Sequence, residues 1–169
     1  HSQYERWSGN VALGWTPDEK TVIELTGAIS DGEAAYADRM MDGSMFKREN
    51  IGLRARRDVS LGWLTAVEAQ LYRNDVDHVM DNYSLRTFTP GMMMPAPAAS
   101  NPTRLTEGGR LTTTLAPGDN TQATIGVDTQ SNEHAVRSTM NQTMMPIEAM
   151  ACTDDGTFEQ QGLFAEIEH

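Results

Sequence analysis

Seven stretches of this sequence alternate apolar and polar residues with period two, and the connections between them alternate between short and long. Period two is the spacing of a β-strand, whose successive side chains point to opposite faces. Over 6–15, Val11, Leu13 and Trp15 share one face with Ala12 and Gly14 opposite; over 21–30, Ile23, Leu25, Gly27 and Ile29 oppose Glu24, Thr26 and Ala28. Thr16-Pro17-Asp18-Glu19-Lys20 between them reads as a tight turn with the proline at its first corner. The pattern resumes over 49–59, turns around 58–62, and continues over 63–81, where Val67, Ala69 and Leu71 oppose Glu68, Gln70 and Tyr72. Strands over 109–115 and 121–132 flank a third tight turn at 116–120, and a last strand covers 158–168. Long loops are predicted over 31–48, 82–107 and 134–157.

In an up-and-down antiparallel sheet this order places every tight turn at one end and every long loop at the other. Short turns on one side and long loops on the other mark outer-membrane barrels, with the polar face lining a lumen and the apolar face meeting lipid. A soluble β-sandwich or lipocalin-like barrel gives the same alternation, but its loops seldom segregate so cleanly by length. The predicted fold class is therefore all-β: an antiparallel up-and-down transmembrane β-barrel segment. About seven strands are too few and of the wrong parity for a bacterial barrel, which starts at eight and is even. Residues 1–169 thus read as a partial barrel domain whose edges pair with strands lying outside the sequence.

Bulk properties agree with that reading. Hydrophobic residues make up only 38% of the chain and mean hydropathy is −0.49. No run approaches the roughly 18–20 apolar residues of a membrane helix, yet a barrel strand needs only about 9–11 residues, half of them polar. The net charge of −11 argues against nucleic acid as a partner, because phosphate binding needs clustered Lys and Arg. Cys152 is the single cysteine, which excludes an intrachain disulfide and a CxxC-type zinc site. The first residues show no basic region followed by an apolar stretch, so the sequence reads as a mature chain or an internal piece.

Eleven methionines gather in three stretches, 40–45, 80–94 and 140–150, at the predicted long-loop side. Thioether is a soft ligand that suits Cu(I), so metal capture at one end of the β-structure is the leading expectation. Within Asp77-His78-Val79-Met80-Asp81, His78 and Met80 stand two residues apart on a strand, facing the same way and roughly 6.5–7 Å apart along the chain. A His nitrogen and a Met sulfur placed so can converge on one soft ion. Met40 and Met41, Met92-Met93-Met94, Met144 and Met145, His134 and Cys152 are weaker candidates. The methionines serve equally as adaptable side chains packing the loops over an opening. Asp31, Glu33, Asp38, Asp42, Asp75, Asp77, Asp81, Glu148, Asp154 and Asp155 gather on the same side and suggest a negative mouth that concentrates cations. Arg54 and Arg56 against Glu68 suggest ion pairs on the polar face. No nucleophile elbow, HExxH, P-loop or glycine fingerprint is present, and no enzyme activity is expected.

Three segments carry a specific resemblance: 12–18 (ALGWTPD), 30–43 (SDGEAAYADRMMDG) and 77–86 (DHVMDNYSLR). Along essentially its whole length the chain resembles the barrel portion of TonB-dependent copper receptors of the Gram-negative outer membrane. The resemblance implies a barrel of about 22 strands with an N-terminal plug. It also implies a TonB box and import of copper driven from the inner membrane. It makes His78 and Met80 the barrel's contribution to the copper site, with a Cys and a Met supplied by the plug; Cys152 lies in no matching motif. Copper, favoured as Cu(I) by the soft ligands, outer-membrane lipid, the protein's own plug and the TonB complex are the implied partners. Two other readings compete: a soluble periplasmic Met-rich copper-binding β-domain, and a barrel whose loops form an adhesion or phage-receptor surface.

Overall fold

The computed structural model describes residues 2–169. The chain is all-β, with seven strands: β1 (Gln3–Asp18), β2 (Thr21–Ala35), β3 (Asp42–Leu61), β4 (Leu64–Asp81), β5 (Ala99–Gly118), β6 (Thr121–Thr139) and β7 (Thr153–Glu168). They form one antiparallel sheet in sequence order, and only sequence neighbours pair. One 3₁₀ turn, Ile147–Ala149, interrupts the last long connection. No helix among the described residues is long and apolar enough to cross a membrane, which says nothing of strands.

Three two-residue turns close one end of the sheet. Glu19-Lys20 is closed by the Lys20 N–H, which donates to Asp18 Oδ1 at 2.9 Å, an Asx arrangement that mimics a backbone turn. Gly62-Trp63 uses a glycine with φ +59°, a conformation that costs other residues steric energy. Asp119-Asn120 is the third. The sequence placed Pro17 at a turn corner. It lies instead at the end of β1, where the β1–β2 ladder skips between Trp15 and Asp18. Pro117 occupies the equivalent gap, between Leu115 and Gly118. A residue with no N–H is tolerated where the ladder has no bond to give it.

The long connections at the other end run over 36–41, 82–98 and 140–152, each shorter than expected. The strands absorb the difference, reaching 20 residues in β3 and β5. Alternation ends before the pairing does. Leu71 aligns with Leu53, but Arg73, Asp75 and Asp77 follow on that face of β4, opposite Ile51, Glu49 and Lys47 of β3. The once apolar face turns charged there while the other carries Val76 and Phe46, so the clean period-two signal is lost while the backbone ladder continues.

Register fixes the two faces. Leu13, Leu25, Leu53 and Leu71 lie side by side across β1 to β4, and Leu111, Val127 and Leu163 continue the band across β5 to β7. These side chains are exposed. The opposite face carries Glu24, Arg54, Glu68, Arg110 and Asp128 at the same height. Fully buried apolar side chains among the described residues are few and mostly small: Ala34, Ala66, Ala98, Ala99 and Ile147. The sheet is a single layer with no second layer over its apolar side.

Candidate metal site

His78 lies near the long-connection end of β4, well past Leu71, on the polar face. Its partner across the ladder is Phe46 of β3, whose ring lies over the imidazole with centroids 4.5 Å apart and planes inclined by 30°. Phe46 is aligned with His78 by a bulge: Gly43 pairs with Met80 and Met45 with Val79, so β3 spends one extra residue at Ser44. Gly43 is needed there, because a Cβ at that position would run into the Phe46 ring.

A second device holds the other side of His78. Pro102 of β5 has no N–H, and the β4–β5 ladder lapses between Asp77–Thr103 and Met80–Ser100. The side chain of Asn101, 1% exposed, fills the gap. Its Nδ2 donates to the His78 carbonyl at 3.1 Å and to Asp77 Oδ1, while its Oδ1 accepts from Arg137 Nε at 2.7 Å. Three strands are tied at the residue that carries the imidazole.

The imidazole itself is left open. His78 Nε2 is buried with no hydrogen-bond partner among the described residues. Buried polar atoms without partners are rare and call for an explanation such as a ligand. Burial lowers the His78 pKa, with Asp77 offsetting part of the effect, so the ring is held in the neutral, ligand-competent form. His78 opens on a cavity of about 670 Å³ lined also by Tyr4, Arg6, Tyr36, Phe46 and Arg48.

Met80 follows on the same strand face and is half-buried, between Gly43 and Ser100. The remaining soft candidates are not gathered around His78. No methionine lines its cavity. Met40, Met92, Met93, Met140, Met144 and Met145 are exposed, and Met41 and Met150 are half-buried in the connections. Met94 sulfur accepts from Asn82 Nδ2 at 3.6 Å. Cys152 is exposed. His134 Nδ1 is paired with Asp155 across β6 and β7. No group of three or more His, Cys, Asp or Glu suited to a metal occurs among the described residues.

The acidic residues also divide. Asp75 and Asp77 stand on the face opposite His78. Asp42 and Asp81, 1% and 2% exposed, serve the connections. Asp42 accepts from the Tyr36 N–H and from Arg86, which also donates to the carbonyls of Arg39 and Tyr36. Asp81 accepts from the N–H groups of Tyr83 and Ser84 and from the Ser84 hydroxyl. These two carboxylates anchor 36–41 and 82–98, while Asp38, Glu148, Asp154 and Asp155 stay exposed. Lower on the polar face, Arg54 pairs with Glu68 at 2.7 Å as expected, but Arg56 turns to Asp58 at 3.1 Å.

Sequence reasoning missed Phe46, Asn101 and the bulge. Phe46 fell inside a predicted loop; Asn101-Pro102 read as loop punctuation, although a proline in a strand implies a compensating donor nearby.

An up-and-down antiparallel sheet with an exposed apolar band, a charged opposite face and all tight turns at one end defines a segment of a β-barrel. Among solved structures it is similar to one described as "Copper transporter OprC": 45% identity, TM-score 0.88, covering 97% of this chain and 26% of that one. The likeness to copper receptors drawn from the sequence is borne out, and the chain is the counterpart of about a quarter of that transporter's length. No family model matches the sequence, and no curated protein does.

Proposed function

We propose that the chain is part of a TonB-dependent receptor of the Gram-negative outer membrane that binds and imports copper, and that His78 and Met80 are its barrel-side ligands. The observation that carries the reading is the orphaned His78 Nε2, buried beside an aromatic ring on the polar face of a sheet so similar to a copper transporter. The apolar band, exposed and uncovered, is the surface that would meet lipid; a contiguous patch of that kind is foreign to soluble monomers. A soluble periplasmic β-domain would need a second layer over that band. The polar face then lines the lumen, and His78 lies above the lipid-facing zone, on the long-connection side.

Imidazole and thioether are donors for a soft ion and favour Cu(I). Two ligands from one strand leave positions for others, which the resemblance assigns to a plug domain. The exposed methionines form a soft rim outside this site, and no catalytic step is assigned to the chain. The test is bound copper in the full-length receptor, measured by elemental mass spectrometry. His78→Ala combined with Met80→Ala should abolish stoichiometric copper; an unchanged copper-to-protein ratio would remove the site.

A further inference from the structure

We propose that Phe46 is a specificity-determining residue of the site: its ring keeps water from the His78 and Met80 donors, so that an ion is held only if it can shed its water shell. The inference rests on the copper reading above and adds the residue that makes such a site selective.

Phe46 breaks the pattern of its own strand. The polar face of β3 carries Arg54, Gly52, Asn50 and Arg48 in turn, and then an aromatic ring. That ring lies over the imidazole, centroids 4.5 Å apart. Its far end reaches on along the strand: a Cβ on Gly43 would fall on Cζ and Cε2 of Phe46, and Gly43 is the cross-strand partner of Met80. One ring therefore spans the register of both proposed ligands. A phenyl group packs well against a thioether as well as an imidazole.

Three features fix the ring there. The bulge at Ser44 aligns Phe46 with His78, and Gly43 leaves room for the ring's end. The third is Asp31 of β2. The β2–β3 ladder lapses between Ser30–Arg48 and Ala34–Gly43, and in that gap the Phe46 N–H donates to Asp31 Oδ1 at 3.0 Å. Asp31 does for β3 what Asn101 does for β4: a side chain takes over where the ladder stops. Asp31 is in this sense a positioning residue, acting through the ring.

His78 Nε2 is buried and meets no protein donor or acceptor among the described residues, and the phenyl wall offers no partner to a water beside it. The apolar shell around a metal site governs its access to solvent. Zinc(II) with too few protein ligands completes its shell with water. Such a water would lie against ring carbon without a hydrogen bond, which is costly. Copper(I) is held by soft donors alone and carries no such burden. The ring therefore selects by penalising the water that a competing ion brings.

The test measures Cu(I) and Zn(II) dissociation constants by chelator competition on the full-length receptor in anaerobic detergent solution. Phe46→Gln places a hard, hydrated group where the ring stood and should narrow the preference for Cu(I) by about tenfold or more, whereas the apolar Phe46→Leu should keep it within about threefold of wild type. Asp31→Ala should narrow the preference too, and Asp31→Asn, whose amide oxygen still accepts, should restore it. The metal-free receptor gives a second readout: diethyl pyrocarbonate, followed by peptide mass spectrometry, should modify His78 several-fold faster in Phe46→Gln than in wild type. A Phe46→Gln receptor with wild-type preference, or with His78 no more reactive, would overturn the inference and leave the copper reading intact. Equal losses for both ions would also overturn it, marking the ring as structural. A wild type that binds neither ion would sink the copper reading and the inference with it.

Discussion

Asn101→Ala removes the side chain that ties β4, β5 and β6 together beside His78, and its cost can be worked from three hydrogen bonds. The bond to the His78 carbonyl, at 3.1 Å, is between neutral groups and contributes about 1 kcal/mol. Those with Asp77 and Arg137 each have a charged partner, a class that contributes about 1.5–3 kcal/mol when buried. Asp77 and Arg137 are only half-buried, so water recovers much of that, and the net loss falls to about 2–3 kcal/mol. Denaturant unfolding of the receptor in detergent, followed by tryptophan fluorescence, measures it. The His78 carbonyl loses its donor, and the strand that carries the imidazole is freed to move; copper affinity should fall at least tenfold, or about 1.4 kcal/mol. In a His78→Ala background the copper effect of Asn101→Ala should vanish, while the stability loss remains. A stability change under about 0.5 kcal/mol, or copper affinity equal to wild type, would refute the argument that Asn101 positions the site.

Three further outcomes are expected. Arg86→Ala strands the buried Asp42 carboxylate and should cost about 3 kcal/mol, with early protease cleavage in 36–41 or 82–98 as the readout. The hydrogen bond from Arg86, aided by the Tyr36 N–H, outweighs burial and holds the Asp42 pKa below its ordinary value. A depressed carboxylate stabilises above its unfolded pKa of about 3.9 and ceases to as pH falls through the folded value; the wild-type connections should therefore loosen below about pH 4, and Arg86→Ala should show a shallower acid dependence. Gly43→Ala should drive Phe46 off the imidazole and weaken copper retention without changing the tight-turn end, seen as a near-ultraviolet dichroism change with intact far-ultraviolet signal. Met92→Leu with Met93→Leu, at two exposed positions, should leave stability within about 0.5 kcal/mol of wild type and copper stoichiometry unchanged.

The sequence made the fold legible wherever one face of a strand is apolar. Val67, Ala69 and Leu71 announce β4, and Ala123, Ile125 and Val127 announce β6. The sequence reads β4 through to Asp81 and β6 to Asn132, but above the apolar band charged and apolar side chains share both faces and the alternation thins. Residues 42–48 and 99–107 therefore read as loop from sequence although they are strand. The site was half legible. His78 and Met80 were visible as a same-face pair, but Asn101 and Phe46 reach His78 only through cross-strand register, which depends on a bulge and a proline gap that spacing within one strand does not encode. Two of the acidic residues on the long-connection side have a structural duty for a similar reason: Asp42 and Asp81 bind the N–H groups and arginine that fasten the connections, while Asp38, Glu148, Asp154 and Asp155 stay exposed.

Only neighbours in sequence pair along the ladder, β1 with β2 and so on to β7; side chains reach no farther than the next strand but one, as Asp18 does to Arg57 and Tyr72 to Gln130. Such a wall can grow by repetition. Each tight-turned hairpin can be added, lost or exchanged as a cassette whose boundaries lie between β2 and β3, β4 and β5, and after β6. Damage should spread no farther than two strands to either side, and barrels of different circumference become accessible in steps of two strands without redesigning what is already there. The His78 contacts straddle one of those joints, since Asn101 belongs to the hairpin after the one that bears the imidazole. The binding device is thus a lock on the order of the cassettes: swapping the β5–β6 hairpin would leave the wall standing and the imidazole untethered.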